Sequence, residues 1–342
     1  MSQNNHGTSA VSRRQVLSIV AFGGVAAGAA WKFGWSRSTP AAAVTETRTL
    51  MGTTVNLTVL GPNQKASRAA VEATLGRMAE LEASLSRYRE DSEVGRLNRD
   101  GAISDAGSDL RALLRLGSEL HAKGDGAFDL TIQPLVDLYR EQLAENGAMP
   151  SDATIAERRK LVNAKNIRVD GTNVSFARPG MAITLDGIGK GYIVDRAVEE
   201  LRTRGYENVL VEAGGDLVAA GAKADDRPWR LGIRKPRASM SNMLRVAARD
   251  CAIATSGDYM QPFTPDYAMH HILDPRTGVS APELASSTVM APTAALADGL
   301  ATLTMVVGAE RGRSILEGMD GCEGCFIGKD LKVTKTSGFR TL

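Results

Sequence analysis

Apolar and polar residues alternate along "MGTTVNLTVLG" (Met51–Gly61), the period-two pattern of a half-buried strand. The period then lengthens. Val71, Leu75, Met78 and Leu85 recur at helical spacing and predict a long amphipathic helix ending near "SLSRY". The polar stretch "REDSEVGRLNRDGA" reads as a loop, and Leu110, Leu113, Leu114, Gly117 and Leu120 mark a second helix. "GDGAFDLTIQPL" (Gly124–Leu135) is a Gly-punctuated turn entering a further helix that runs to about Ala144. Ser151 is placed to cap a short basic helix.

In the centre, "MAITLD" (Met181–Asp186) is expected to be a strand, "GIGKG" a turn and "YIVDRAVEELRTRG" a helix. "ENVLVEAGGDLVAAG" reads as the next strand and its turn, completing a strand–loop–helix–strand unit. "WRLGIRK", "LRVAARDCAIATSG" and "MHHILD" follow as strand-like runs. The chain then forms a helix over "TAALADGLATLTMVVG", a smaller helix and a hairpin. No internal repeat or low-complexity linker interrupts this order, and the pattern is that of an α/β protein.

The first 43 residues follow different rules. "SRRQVL" precedes the apolar run "SIVAFGGVAAGAA" and the small residues "TPAAA", the order of a secretory signal. The pair Arg13–Arg14 resembles a twin-arginine signal, with Val16 where Phe is usual. Val16 to Trp35 approaches the roughly 20 residues of a membrane anchor, so cleavage and anchoring stay open. The expected division is therefore 1–43 as signal or anchor and 44–342 as the folded domain. These 43 residues carry four cations and no acid, so the chain's net +2 becomes −2 for the remainder. A near-neutral body gives no electrostatic case for nucleic acid. "CEGC" (Cys322–Cys325) lacks a second ligand pair for zinc, and reads as a local disulfide or a turn holding two thiols.

Candidate chemistry sits at the ends of these elements. The loop "DGIGKGY" (Asp186–Tyr192) lets backbone N–H groups approach an anion at a helix N-terminus. It is not a Walker A loop, because Thr184 stands where Gly is needed and Gly191 where Ser or Thr is needed. Its match to G-x-G-x-x-G fails at Tyr192. Asp298 and Thr302, four apart on a helix, are a carboxylate and a hydroxyl on one face, suited to a hard cation such as Mg²⁺. The commoner source of that spacing is a Thr bonded back to a carbonyl beside an exposed Asp. "GAFD", "AGGDL" and "ATSGDY" place further small donors and acids at turns. "MHHILDPRTG" puts two of the chain's four histidines side by side before an Asp-Pro turn. These residues point to an exported α/β protein equipped to hold a phosphate-bearing ligand through Mg²⁺.

Eight segments in one order, "MGT", "LSRYREDSEVGRLN", "GAFDLTIQPL", "GIGKGYIVD", "VEAGGDL", "ATSGDY", "HHILDPRTG" and "ALADGLATLTMVVG", resemble the ApbE family of FAD:protein FMN transferases from about Thr45 onward. The resemblance implies a two-lobed domain with mixed sheets flanked by helices. It implies FAD as substrate, Mg²⁺ as cofactor, and FMN transfer onto a Ser or Thr hydroxyl of an acceptor flavoprotein of a respiratory or redox-pump complex, releasing AMP. By motif, Met51, Tyr88, Ala127, Phe128 and Asp129 would line the nucleotide, Asp186, Lys190 and Tyr192 would serve FAD from the glycine loop, and Ile272 would add a contact. Asp298, Thr302 and the Gly189 carbonyl would hold Mg²⁺. His271 would sit at the reaction centre, with His271 or Asp274 as the base and His270 structural. The common family form D-L-G-G-I-A-K-G-Y differs here: its first acid is Thr184 and the acid lies at Asp186, a variant resembling members linked to nitrous-oxide respiration. FAD hydrolysis and non-catalytic flavin carriage are the competing functions.

Overall fold

The computed structural model describes residues 42–237 and 244–342. The signal and possible anchor therefore lie almost entirely outside the described residues. Among those described, no helix is long and apolar enough to cross a membrane. The first strand begins before the alternating run: β1 (Ala42–Leu50) pairs antiparallel with β2 (Thr53–Gly61). Only Met51 and Gly52 join them, both with positive φ (54° and 67°), as a two-residue hairpin turn requires. Val55, Leu57 and Val59 of β2 are fully buried, so the alternation does choose one face.

Helix α1 (Gln64–Leu85) starts at Asn63, whose side chain accepts the Ala66 N–H, and buries Val71, Leu75, Met78, Leu81 and Leu85. The stretch expected as a polar loop contains α2 (Glu93–Asp100). Ser92 caps it, Gly101 ends it in the left-handed region (φ 74°), and Val94 and Leu97 anchor it. Those start and stop signals were present in the letters, but two apolar residues in eight give too little periodicity to stand out. After β3 (Ala102–Ile103) come α3 (Ser108–Lys123), α4 (Gln133–Asn146) and α5 (Asp152–Arg159), the last capped by Ser151 as expected. β4 (Ile167–Asp170) and β5 (Asn173–Phe176) complete a small sheet with β3.

The central unit departs from expectation. Met181–Leu185 belongs to no sheet, and Asp186 already lies in the glycine turn. The Ile183 N–H bonds the Asn98 side-chain oxygen (2.7 Å), the Ile183 carbonyl accepts from Asn98 Nδ2 (2.9 Å), and the Thr184 N–H bonds Leu130 O (2.8 Å). A side chain and a loop thus supply what a neighbouring strand would. The helix α6 (Gly189–Thr203) begins inside the glycine turn, and "VEAGGDLVAA" is a hairpin of β6 (Val209–Ala213) and β7 (Asp216–Ala220). There is accordingly no parallel crossover. Among the described residues the strands pair antiparallel throughout, in a main sheet ordered β1-β2-β6-β7-β10-β11-β12-β13, where β10 is Cys251–Gly257, β11 Leu284–Ala291, β12 Glu323–Gly328 and β13 Val333–Lys335. β8 (Trp229–Ile233) and β9 (Leu244–Ala248) form a separate ribbon, so "LRVAARDCAIATSG" splits at Asp250 (φ 50°) between two sheets.

Helices α1, α6 and α7 (Ala294–Glu317) share one core with the inward residues of the sheet, where Leu300 of α7 joins Val55, Val211 and Ala254. The ribbon covers the opposite face through Trp229, Leu231 and Val246 against Leu217 and Ile253. Cys322 belongs to the first core and Cys325 to the second, so both are free thiols and form no disulfide. Gly308 (φ 81°) breaks α7, and Glu283 accepts the Ala309 N–H at 2.9 Å to restart it, which is the expected smaller helix. "MHHILD" is no strand. Its strand-type contacts are two isolated bridges, Pro262 with His270 and Leu273 with Ser280. It packs through Leu273 on Leu135, Tyr139 and Ile155 of the α4–α5 pair.

Gly191 is where α6 and α7 touch. A Cβ there would lie 2.2 Å from the Ala294 carbonyl oxygen, a backbone atom that cannot turn aside. Gly191→Ala is expected to destabilise the protein by about 3 kcal/mol. Gly76→Ala, on the exposed side of α1 with no atom within 4 Å of the new Cβ, is expected to stabilise it by about 0.5–1 kcal/mol. Urea midpoints of the two variants against the parent check both signs.

Candidate active site

The site grows from the first turn of α6. Leu185 O accepts the N–H groups of Ile188 (3.0 Å) and Gly189 (2.6 Å), which closes the glycine turn and aims the start of the helix. The N-cap residue Ile188 offers no side-chain acceptor, so first-turn N–H groups and the positive end of the dipole face whatever lies there. One of them is taken: Gly191 N–H donates to Asp298 Oδ2 at 3.2 Å. At Gly187 a Cβ would stand 3.1 Å from Thr302 Oγ1 and 3.3 Å from the Phe128 ring, so the loop lies directly on both.

Lys190 Nζ lies 2.9 Å from Asp216 Oδ2 and 3.8 Å from Asp298 Oδ2. Burial works against the Lys190 charge, but the two carboxylates outweigh it and hold its pKa above the ordinary value. Burial, and then the Asp216 charge, push Asp298 upward, with Lys190 and the Gly191 N–H opposing. Asp298 is therefore not an exposed helix acid. Nor is Thr302 bonded back along its helix: the back-bonded residue is Thr304, to Leu300 O at 2.6 Å, whereas Thr302 Oγ1 meets Ser256 Oγ at 3.2 Å. Asp298, Thr302, Ser256 and Asp216 thus gather oxygen donors from α7, β10 and β7 at the start of α6. Gly189 opens that helix one residue before Lys190.

Around this cluster the other candidates divide. Asp186 joins the site: it pairs with Arg87 at 3.0 Å and lies close enough to favour the protonated form of His271. Tyr88 is 68% exposed under the Arg87 guanidinium, 4.0 Å from its ring centroid. Met51 occupies the strained turn, and its neighbour Thr53 abuts Gly214, where a Cβ would fall 2.6 Å from Thr53 Oγ1. Sequence reasoning missed Arg87, and missed Glu212, whose buried carboxylate holds the Gly215 N–H (2.8 Å) and Asn56 Nδ2 (2.6 Å). Neither had a sequence signal, because each owes its place to partners far along the chain.

Four expected ligand contacts are otherwise engaged. Asp129 Oδ1 accepts from Thr131 N–H (2.8 Å) and Oγ1 (2.6 Å), and Oδ2 accepts from Ala164 N–H (2.8 Å) with His121 Nδ1 at 3.1 Å. It builds the turn that presents Ala127 and Phe128, both buried. Tyr192 donates its hydroxyl to Asp109 on α3 (2.7 Å), on the side of α6 away from Lys190. Ile272 is buried in the core, its N–H on His270 Nδ1 (3.3 Å) and its carbonyl on the Ala281 N–H (3.0 Å). Asp274 is forked by Arg276 (2.9 and 2.8 Å) and accepts the Arg276 N–H, which leaves it a turn former.

The two histidines have opposite fates. His270 is fully buried, with Nε2–H donating to Ala281 O (2.9 Å) and Nδ1 accepting from Ile272, so both nitrogens are satisfied and the ring is structural. His271 is half-buried and its Nδ1 is buried without a partner. Its backbone N–H is fixed on Gln261 O (3.1 Å), and Arg140 holds the Gln261 side chain (2.7 Å). Burial, then the neighbouring His270, lowers the His271 pKa, and burial lowers that of His270. The unfolded chain protonates near 6.5, above the native values, so these two rings make stability fall as pH drops below about 6.5 and contribute nothing above it. His121, raised by its bond to Asp129, acts in the opposite sense. Ring-proton NMR titration should show His271 still neutral at pH 6, the His270 midpoint below that of an unfolded histidine and the His121 midpoint above it.

Comparison with known proteins is consistent across sequence and structure. The profile of the ApbE family matches residues 51–326. An FAD:protein FMN transferase of Vibrio cholerae serotype O1 is 32% identical over 274 residues, covering 78% of this chain and 82% of the relative. One of Haemophilus influenzae is 30% identical over 283 residues, covering 78% and 81%. The solved flavin transferase ApbE from Vibrio cholerae superposes with a TM-score of 0.76 at 31% identity, covering 88% of this chain and 99% of that one. The apo flavinyl transferase ApbE of Pseudomonas stutzeri gives 0.73 at 31%, covering 88% and 97%. With the glycine loop, the Lys190 cluster and the divided histidine pair all falling inside the matched span, the chain belongs to the ApbE family.

Proposed function

We propose that this protein transfers FMN from FAD to a Ser or Thr hydroxyl of an acceptor flavoprotein, forming a phosphoester and releasing AMP. The observation that carries the reading is the oxygen cluster of Asp298, Thr302 and Ser256 at the start of α6, with His271, its Nδ1 unpartnered, in electrostatic reach of Asp186 on the same glycine loop. The relatives named FAD:protein FMN transferase support it. In the proposed step the acceptor oxygen bonds to the FMN phosphorus as the pyrophosphate P–O bond breaks, AMP departs with the bridging oxygen, and the hydroxyl proton passes to His271 Nδ1. A neutral imidazole can take that proton. His271 is preferred to Asp274 as the base, because Arg276 occupies both carboxylate oxygens of Asp274.

Mg²⁺ fits the donor set. Among the described residues no three His, Cys, Asp or Glu side chains converge to hold a metal. Asp298 and the Thr302 and Ser256 hydroxyls, with the Gly189 carbonyl at hand, are all-oxygen donors, which suits a cation that keeps several waters. Bound there, Mg²⁺ would neutralise charge on the pyrophosphate. The α6 N-terminus and Lys190 add fixed positive potential, and Phe128, Tyr88 and Met51 are proposed to line the nucleotide. Arg13–Arg14 and the apolar run after them support an acceptor outside the cytoplasm, in a respiratory or redox-pump complex, with the N-terminus as signal or tether.

Protein lacking residues 1–43, mixed with FAD, Mg²⁺ and a candidate acceptor domain and then denatured, is expected to leave flavin fluorescence on the acceptor band, and none when EDTA is added. AMP release without labelled acceptor would point to hydrolysis by water. Asp298→Ala is expected to lower Mg²⁺-dependent turnover at least about 100-fold with the fold retained, since Lys190 keeps Asp216 as its partner. His271→Ala should depress kcat about 10²–10⁴-fold with little change in FAD affinity; a fall in affinity alone would move the base elsewhere.

A further inference from the structure

Between α1 and α2 the chain makes a turn that carries a nearly buried arginine. The Arg87 side chain is only 9% exposed, a costly place for a guanidinium unless its charge and donors are met. Its Nε donates to Asp186 Oδ2 at 3.0 Å, from a residue ninety-nine positions away, and its Nη2 donates to the Tyr88 hydroxyl at 2.5 Å. The guanidinium carbon also lies 4.0 Å from the Tyr88 ring centroid, within cation–π range. With Asp186 neutralising it, this charge is not a free phosphate ligand.

The turn itself is pinned. Ser92 Oγ donates to Ser86 O (2.7 Å), Arg89 N–H donates to the same carbonyl (3.2 Å), and Tyr88 N–H bonds Ser86 Oγ (3.3 Å). Gly95 is required beneath it, because a Cβ there would strike Arg89 O at 2.0 Å. A large aromatic that is 68% exposed, yet held on a fixed turn with one face under a guanidinium, offers a prepared stacking surface rather than a loose side chain.

We propose that Arg87 is a positioning residue: it sets the plane of Tyr88 to stack on a planar ring of the flavin dinucleotide, and through Asp186 it ties that surface to the glycine loop. This rests on the reading of the site as an FAD site. The same loop meets Thr302 and Phe128 at Gly187 and Asp298 at Gly191, so the Arg87–Asp186 pair joins the ring-stacking surface to the cation-binding cluster.

The test measures FAD affinity by quenching of flavin fluorescence, without acceptor, for the parent, Arg87→Ala, Arg87→Lys, Tyr88→Leu and the Arg87→Ala/Tyr88→Leu double variant. Arg87→Ala is expected to raise Kd about tenfold, and the double variant to bind within about twofold of Tyr88→Leu, because the arginine acts through the tyrosine. Arg87→Lys keeps the charge opposite Asp186 but lacks the planar fork, and should remain at least about fivefold weak. It also serves where Arg87→Ala fails to fold. Multiplying effects in the double variant, full affinity in the lysine variant, or unchanged Kd in Arg87→Ala would each overturn the proposal. A parent that binds FAD but transfers no flavin would sink the transferase reading and leave this one standing; a parent that does not bind FAD would sink both.

Discussion

One half-buried lysine held between two buried carboxylates fixes the geometry on which the rest of the site depends. Lys190 comes from α6, Asp216 from the start of β7 and Asp298 from α7, and none of these charges could be buried alone without a large desolvation penalty. Together they lock a helix N-terminus, a strand end and a second helix into one arrangement. Asp195 reinforces the lock by accepting the Ala294 and Ala295 N–H groups (2.7 and 2.9 Å) at the start of α7. Burial, and then the neighbouring Asp216 charge that a single lysine does not fully offset, push Asp298 toward its protonated form. Stability and chemistry draw on the same contacts here.

The sheet separates two environments by simple alternation. On β10, Ser256 faces the helices and reaches Thr302, while Ile253 and Thr255 face the ribbon. On β7, Asp216 meets Lys190 and Leu217 enters the ribbon core. The charged groups of the site thus gather at strand ends on the helix side, beside the glycine turns. The apolar ribbon face seals the other side of the sheet, and Trp229 secures it by donating Nε1–H to Ala220 O at 3.0 Å.

Adjacent residues can likewise take opposite roles in the segment before the Asp-Pro turn. His270 is drawn inward, with both ring nitrogens bonded, and serves to hold the backbone of Ile272 and Ala281. That fixed backbone turns His271 the other way and leaves its Nδ1 without a partner. Asp274 and Arg276 close the turn, and Tyr139 bonds Gly278 O (3.0 Å) from α4. The pair of histidines is thus a support and the group it supports.

Local pattern was enough for the elements whose stability is local. The β2 alternation, the α1 and α3 stripes, the Ser151 cap and the helix break at Gly308 were all legible, because each follows from neighbouring residues in the chain. So was the placement of Asp298 and Thr302 on one helix, both turned toward the glycine loop. What failed was whatever needed a distant partner. Met181–Asp186 has strand-like letters, but Asn98 and Leu130 take its backbone bonds, and Tyr192 gives its hydroxyl to Asp109, 83 positions away. Cys322 and Cys325 sit three apart, yet lie in cores on opposite sides of the sheet. The sequence by itself determined which residues are capable of chemistry and where the strongly periodic helices lie. Only the tertiary structure decided which side chains remain unpartnered, because hydrogen bonds and ion pairs are made across segments that the order of letters does not bring together.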